Sequence, residues 1–316
     1  MDKILVTGGA GFIASMLAAK LAENKDNDIV IVDNFVTGSR EKLPLANNPK
    51  DSPNIRFVKC DVNNYESISS IFYSHGFDYV FHYAALVGVQ RTLRNPHMVL
   101  NDIAGIKNIV NLSKNTEVKR VFFSSSSEVY GETVQLPQNE ETTPLNSTLP
   151  YAVVKNIGEV YLKSFHQEFG LPYTIFRFFN TYGIKQSPDF VVSKFIRAAL
   201  NNEDITLYGD GSQIRTFCYI DDNIDACLKA FYEKKHINDV VNVGSDVEVN
   251  IKDLAKMIVS LTDTRSDIVN LPPLTVGDMT RRKPDTTKMK ALLNRELIPL
   301  EEGLHKIIEN PQYILD

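Results

Sequence analysis

The sequence predicts an α/β protein: a parallel sheet with helices on both faces, and a smaller C-terminal α/β region. Three observations predict it. Short apolar runs alternate with helical patterns through the first half of the chain, the rhythm of right-handed βαβ crossovers. The first strand runs directly into a Gly-rich turn and a helix. After about residue 180 the rhythm becomes irregular.

In chain order, KILVT (3–7) reads as a buried strand and Ile13 to Ala22 as a helix. DIVIVD (28–33), IRFVKCD (55–61), DYVFHYAA (78–85), KRVFFSSSS (119–127) and YTIFRFFN (173–180) read as further strands, with helical patterns at 64–74 and 97–115. Beyond them come a helix at 190–201, a turn at Gly209–Gly211, a helix at 221–233, a strand VVNVG (240–244) and a helix at 251–261. A Pro pair (272–273), RRKPD (281–285) and a helical pattern at 300–309 complete the chain. The boundaries expected are 1–180 for the sheet domain, with a return segment at about 214–243, and 181–213 plus 244–316 for the smaller one.

The 316 residues are 43% apolar and 23% charged, which fits an ordinary globular protein able to bury a large core. A net charge of -5 argues against a general nucleic-acid binder, yet leaves room for a local basic pocket. Cys60, Cys218 and Cys227 form no CxxC pair, so neither a disulfide framework nor a metal site is expected, and a reduced cytoplasmic setting is. The start of the chain lacks a signal-peptide pattern. No apolar run of about 18 residues suggests a membrane span.

The turn after the first strand is Gly8-Gly9-Ala10-Gly11-Phe12-Ile13-Ala14. Small residues there let backbone approach a pyrophosphate, and a helix N-terminus stabilises its charge. Asp33 ends the second strand, where a carboxylate accepts hydrogen bonds from ribose hydroxyls and repels a 2′-phosphate. This register of strand, loop, helix and acid is Rossmann-type and favours NAD over NADP. Asp61 and Val62 fall where an adenine edge would lie, and Asp61 also reads as a plain helix cap.

Pro150 opens a helix in which Tyr151 and Lys155 are four apart and share a face. A nearby ammonium lowers a phenol's pKa and makes it a usable base. With 13 tyrosines in the chain the spacing alone carries little, but it follows a strand ending in Ser124 to Ser127, an end that faces the cofactor crevice in this topology.

GGAGFIA, Asp33, HYAA (82–85), SSSSEVYG (124–131), YAVVK (151–155) and RFFNTYG (177–183) resemble the extended short-chain dehydrogenase/reductases. More narrowly, the chain is similar to the NAD-dependent epimerase/dehydratase family acting on nucleotide-sugars, and the likeness continues through LYGDGSQIRTFCYIDD (207–222) to RRKPD. Ala14 replaces the third loop glycine. The resemblance implies that Tyr151 is the base, Lys155 tunes it and holds the nicotinamide ribose, and Ser126 bonds the reacting oxygen. It implies NAD contacts at Gly8, Gly11, Phe12, Ile13, Asp33, Asn34, Gly38, Asp61, Val62, Ala84, Ala85, Ser124 and Phe178. It assigns nucleotide-sugar contacts to Val87, Ser126, Asn180, Val191, Lys194, Tyr208, Gln213, Arg215 and Arg282. The smaller region thereby becomes the substrate-binding one.

The family's reactions share a 4-keto sugar, so the resemblance alone leaves the outcome open. AALVGVQRTLRNP (84–96) is epimerase-like and puts 4-epimerase, most simply of a UDP-sugar, first. Glu128, RRKPD and GDGSQIRTF resemble UDP-glucuronate decarboxylases. A 4,6-dehydratase is third, because Ser127 stands where the deoxythymidine-type enzymes carry an aspartate. Some relatives of this fold bind a dinucleotide as sensors, which would need none of Ser126, Tyr151 and Lys155. The family commonly dimerises through a four-helix bundle. Its matching helices are 97–115 and 151–168, with Val99, Ile103, Ile106 and Val110 as an apolar stripe.

Overall fold

Strand β1 (Asp2–Thr7) pairs in parallel with β2 (Asn27–Asp33) on one side and β4 (Tyr79–His82) on the other. In this computed structural model, which describes residues 1–45, 53–272 and 281–311, the sheet extends through β3 (Ile55–Lys59), β5 (Arg120–Ser126), β6 (Tyr173–Phe178) and β11 (Asp239–Val243). Its order is β11-β6-β5-β4-β1-β2-β3, a Rossmann-type arrangement. Burial on both faces explains the continuous apolar runs read from the sequence: Ile4, Leu5 and Val6 are all fully buried.

One face packs Leu5, Val30, Val80, Val121 and Phe123 against apolar residues of α2 (Tyr65–His75), α5 (Asp102–Asn115) and α6 (Pro150–Phe169). The other carries a ladder of rings, Phe81 on Phe122 at 4.3 Å and Phe122 on Phe176 at 6.3 Å, closed edge-on by Phe231 near the end of α8 (Ile220–Tyr232). Each such ring contributes roughly 1.5–3 kcal/mol by leaving water. Helix α1 (Phe12–Glu23) follows β1. Local chemistry sets the helix ends. The Asn64 side chain caps α2 by accepting from the Ser67 amide, and Gly76 ends it with φ +63°. Pro150 opens α6 and Gly170 closes it.

The helical pattern expected over 97–115 is broken. It divides into α4 (Pro96–Leu100) and α5, preceded by a short helix α3 (Val89–Arg94). Pro96 restarts the helix, and Asn101 separates α4 from α5, whose first residue, Asp102, accepts the Leu86 amide. The stripe assigned to a dimer face is also corrected. Val99, Ile106 and Val110 are buried in this sheet's own core, with Ile103 packed against it.

The chain divides into two units, 1–131 with 145–177 and 227–241, and 132–144 with 178–226 and 242–316. The return segment thus begins at 227 instead of about 214, and 132–144 joins the second unit. There the Gln138 amide donates to Lys283 O at 2.7 Å and the Asp285 amide to Gln138 O at 2.8 Å. The second unit is built from short strands: β7 (Thr181–Tyr182) with β10 (Cys218–Tyr219), β8 (Ile205–Tyr208) with β13 (Ile268–Leu271), and β9 (Ile214–Thr216) with β12 (Glu248–Asn250). Around them lie α7 (Val191–Leu200), α9 (Ile251–Thr262), α10 (Thr287–Leu293) and α11 (Leu300–Ile308). Of the Pro pair, Pro273 lies outside the described residues.

Candidate active site

The Gly-rich turn is shaped by close approach. Gly8 has φ +73°, and a Cβ there would meet the Ala84 backbone at 2.7 Å. Only glycine fits between β1 and the loop leaving β4. Thr7 holds that loop, its Oγ1 accepting the Tyr83 and Ala84 amides at 3.1 Å each. Gly38 packs as tightly, since a Cβ there would fall 2.9 Å from the Ala10 carbonyl, and Ser39 N donates to that oxygen. Helix α1 begins at Phe12 with Gly11 as cap and no side-chain hydrogen bond, so the first-turn amides of Phe12 and Ile13 point at whatever anion occupies the turn. Ala14 is buried, which a small third loop residue permits.

Asp33 ties the two loops together. Its Oδ2 accepts the Ala10 amide at 3.0 Å and its Oδ1 the Phe35 amide at 2.7 Å. Burial pushes its pKa up, partly offset by those amides. Each oxygen keeps a second lone pair for a ribose hydroxyl. Asn34 forms an Asx turn, accepting from the Val36 amide at 3.0 Å. Asp61 is exposed and accepts the Asn63 amide at 2.9 Å, while Asn64 is the helix cap, so the plain-cap reading of Asp61 does not hold. Val62 is buried and Ala85 half-buried. Phe178 ends β6, and Val87 follows the β4 loop, accepting from Arg91 Nη1 at 3.0 Å. An unblocked helix start, a cradle closed to side chains and an acid at the end of β2 together fit NAD.

On the far side of β4 from β1, β5 ends in serines, and the first turns of α6 bring Tyr151 and Lys155 against them. Lys155 is 3% exposed, and its Nζ donates to Ser124 O at 2.5 Å and to Ser124 Oγ at 3.2 Å. It lies 5.8 Å from the Tyr151 ring centre. Ser126 Oγ accepts the Glu128 amide at 3.2 Å and hydrogen-bonds to the Tyr151 hydroxyl. The four residues predicted to be catalytic therefore meet.

Their protonation differs from the simple expectation. Burial pushes the Tyr151 phenol well above its ordinary pKa, Glu128 adds to this, the Ser126 hydrogen bond opposes it, and Asp102 adds a little more. The residues around Tyr151 thus keep it protonated, and forming the phenolate needs positive charge close by. Burial brings the Lys155 ammonium down to about 8, opposed by Asp102, so it stays charged at neutral pH. His82 is driven down to about 3 by burial, with Lys155 adding to it, and is a neutral partner of Thr7.

Reading the sequence missed the support beneath this pair. Glu159 continues the stripe one turn beyond Lys155. It is fully buried, accepting from Ser125 Oγ at 2.6 Å and from Arg177 Nε and Nη2 at 2.9 and 2.7 Å. Arg177 Nη1 then donates to the Tyr130 hydroxyl at 2.8 Å. The four-residue step from Tyr151 to Lys155 to Glu159 was the available signal.

In the second unit, Lys194 on α7, one turn after Val191, places its ammonium 5.3 Å from the Tyr208 ring centre. Gln213 Nε2 donates to Tyr208 O at 3.0 Å. Asn180, at φ +33°, donates from Nδ2 to Thr216 O at 2.9 Å, fixing the end of β9, the strand that carries Arg215. Ile214 bridges in parallel to Arg281, whose guanidinium grips Glu248 at 2.5 and 2.8 Å. Arg282, its neighbour, is buried. Asn180, Lys194, Tyr208, Gln213, Arg215 and Arg282 are thus linked within this unit through β8, β9 and the segment at 281–282.

Comparison with known proteins identifies the family. Residues 4–244 match the NAD dependent epimerase/dehydratase family. A UDP-N-acetyl-alpha-D-glucosaminuronate decarboxylase of Bacillus cytotoxicus is 34% identical over 97% of this chain and 97% of its own. A putative UDP-glucose 4-epimerase of Methanocaldococcus jannaschii is 32% identical over 96% and 97%. The crystal structure of a Thermotoga maritima UDP-glucose 4-epimerase with UDP-glucose superposes with a TM-score of 0.90 at 34% identity, covering 99% of this chain and 100% of that one. The chain belongs to the NAD dependent epimerase/dehydratase family, and NAD is its cofactor.

Proposed function

We propose that this enzyme is a nucleotide-sugar 4-epimerase that works through a transient 4-keto sugar. The observation that carries the oxidative step is the meeting of Ser126, Tyr151 and Lys155 at the end of β5. NAD, when bound, accepts a hydride from the sugar C4 and later returns it. Ser126 orients the C4 hydroxyl, Tyr151 takes its proton, and Lys155 supplies the charge that makes the phenolate attainable. Epimerisation then requires the ketone to turn its other face before reduction, with Tyr151 returning the proton. Arg215, Arg282 and Lys194 are cations suited to a diphosphate, and Tyr208 offers a ring to the base. Similarity to UDP-sugar enzymes supports UDP as the nucleotide.

Glu128 favours a second reading, decarboxylation of a UDP-uronate. It lies close enough to Tyr151 to raise the phenol's pKa. After C4 oxidation the C5–C6 bond would break to release carbon dioxide, its electron pair forming the enolate, a carboxyl at Glu128's position would return a proton to C5, and the hydride would go back to C4 as Tyr151 reprotonates its oxygen. Mass spectrometry and NMR of products from a panel of UDP-hexoses and UDP-uronates separate the two. Unchanged mass with inverted C4 is expected. Loss of carbon dioxide would establish the second reading instead, and loss of water would exclude both.

We also infer a homodimer through α6. Its outer face presents an apolar groove of Val153, Ile157, Val160, Tyr161 and Phe165, with Val160 55% exposed. Helix α4, packed beside α6, adds the exposed Met98 and Leu100. Two such helix pairs would make a four-helix bundle. Analytical ultracentrifugation should show a dimer that Val160→Glu converts to a folded monomer. A wild-type monomer at micromolar concentration would exclude it.

A further inference from the structure

Arg281, Arg282 and Lys283 are three consecutive cations on an extended strip, and a pleated backbone sends neighbours to opposite faces. The strip is held along both edges. On one edge Thr133 Oγ1 donates to Arg281 O at 2.6 Å, the Gln138 amide to Lys283 O at 2.7 Å, and the Asp285 amide to Gln138 O at 2.8 Å. On the other, Arg281 bridges in parallel to Ile214 of β9. Strand β9 in turn pairs with β12, with Glu248 opposite Thr216 and Val249 opposite Arg215. These registers fix the faces. Ile214, Thr216, Glu248, Arg281 and Lys283 share one, and Arg215 and Arg282 share the other. Burial follows the same alternation: Arg281 is exposed, Lys283 half-buried and Arg282 buried.

Glu248 is the anion of the first face. Its Oε1 accepts from Arg281 Nε at 2.5 Å and its Oε2 from Arg281 Nη2 at 2.8 Å, and Lys283 Nζ donates to Oε2 at 3.3 Å. The Arg281 hydrogen bonds bring its pKa down to about 2, with burial opposing and Lys283 assisting, so it is ionised at neutral pH. Two residues on, Asn250 anchors the strand by capping α9, accepting the Asp253 amide at 2.7 Å. Two residues earlier, Asp246 is taken by Lys290 instead, at 2.7 Å. A forked pair this open to solvent adds little to global stability. What it fixes is register. Slipping the strip by one residue would put Arg282 on the face of Glu248 and turn Arg281 and Lys283 to the face of Arg215.

We propose that Glu248 is a positioning residue for the nucleotide-sugar site: it holds the strip 281–283 in the one register that turns Arg282 to the same face as Arg215. The proposal rests on the reading of Arg215 and Arg282 as ligands of the diphosphate. Two guanidinium forks on one face can divide the oxygens of a diphosphate between them. Glu248 itself carries the wrong charge for such a ligand, which makes its role separable. Removing the carboxylate by charge alone would tighten the hold on a diphosphate, whereas losing the register would loosen it. The two effects have opposite signs.

Calorimetric titration of UDP into the full-length, NAD-loaded protein reads that sign. Glu248→Gln keeps the side chain's shape and removes the charge that holds two cations. Its UDP affinity should fall by about tenfold, the worth of one charge-assisted hydrogen bond, with NAD affinity and the urea midpoint unchanged. Glu248→Arg combined with Arg281→Glu rebuilds the fork with its partners exchanged and should recover most of the affinity. Equal or tighter UDP binding by folded Glu248→Gln overturns the proposal, and so does a combined variant as weak as the single one. Arg282→Gln, or Arg282→Lys should the first fold poorly, tests the reading beneath. If it binds UDP as wild type does, Arg282 is no diphosphate ligand and both fall. If it weakens UDP while Glu248→Gln does not, the proposal alone falls. The titration needs no turnover, so it is independent of which reaction follows.

Discussion

Tyr151→Phe is expected to bind NAD with wild-type affinity and to lose turnover of its nucleotide-sugar by roughly 10²–10⁴-fold, the usual worth of a positioned general base. The ring stays, so its packing against the core stays, and the Gly8 turn and Asp33 that hold the cofactor are untouched. What goes is the oxygen that hydrogen-bonds Ser126 and takes the sugar's proton. Calorimetric titration of NAD and single-turnover rates check the two halves separately. A variant within tenfold of wild-type turnover would remove Tyr151 from the mechanism. Weakened NAD binding with normal turnover would contradict both halves.

Glu159→Ala should cost stability instead, by about 3–5 kcal/mol, because it leaves the buried Arg177 guanidinium without its carboxylate. The variant also strips a partner from Ser125, the neighbour of Ser126. The sign of the pH dependence follows from the folded-state shift. Burial pushes Glu159 up, but the hydrogen bonds and charge of Arg177 outweigh it, and its pKa ends below the ordinary glutamate value. Stability from this pair is therefore present at neutral pH and lost as acid titrates the carboxylate. Urea unfolding of wild type and variant should differ at pH 7 and converge toward acid pH. Equal midpoints at pH 7 would show that the network is dispensable.

The legible parts of this protein are those where residue type and spacing alone constrain the backbone. Strands β1 and β2 were readable because burial on both faces demands unbroken apolar runs. The Gly8 turn was readable because side chains are excluded there. Tyr151 and Lys155 were readable because a helix repeats its faces every four residues. The illegible parts depend on partners far away in sequence. DYVFHYAA reads as a strand to residue 85, but β4 stops at His82 because Thr7 draws the next amides out of the sheet. The stripe Val99, Ile106 and Val110 reads equally well as core or interface, and only its placement against the sheet decides for core. Strands such as β7, β9 and β10, two or three residues long, are too short to show alternation. Helix α10 was overlooked, although Met289, Leu292 and Leu293 carry its buried face. Arg177 sits in a segment recognised for another residue, Asn180.

Absorbance of the reduced nicotinamide after wild-type enzyme, loaded with NAD, is mixed with a UDP-sugar tests the central claim most directly. A transient rise that decays as product forms, absent in Tyr151→Phe, is the predicted result. Product appearing with no rise in either protein, in a mixing time that resolves single turnovers, would mean that no carbinol is oxidised, and the account would fail.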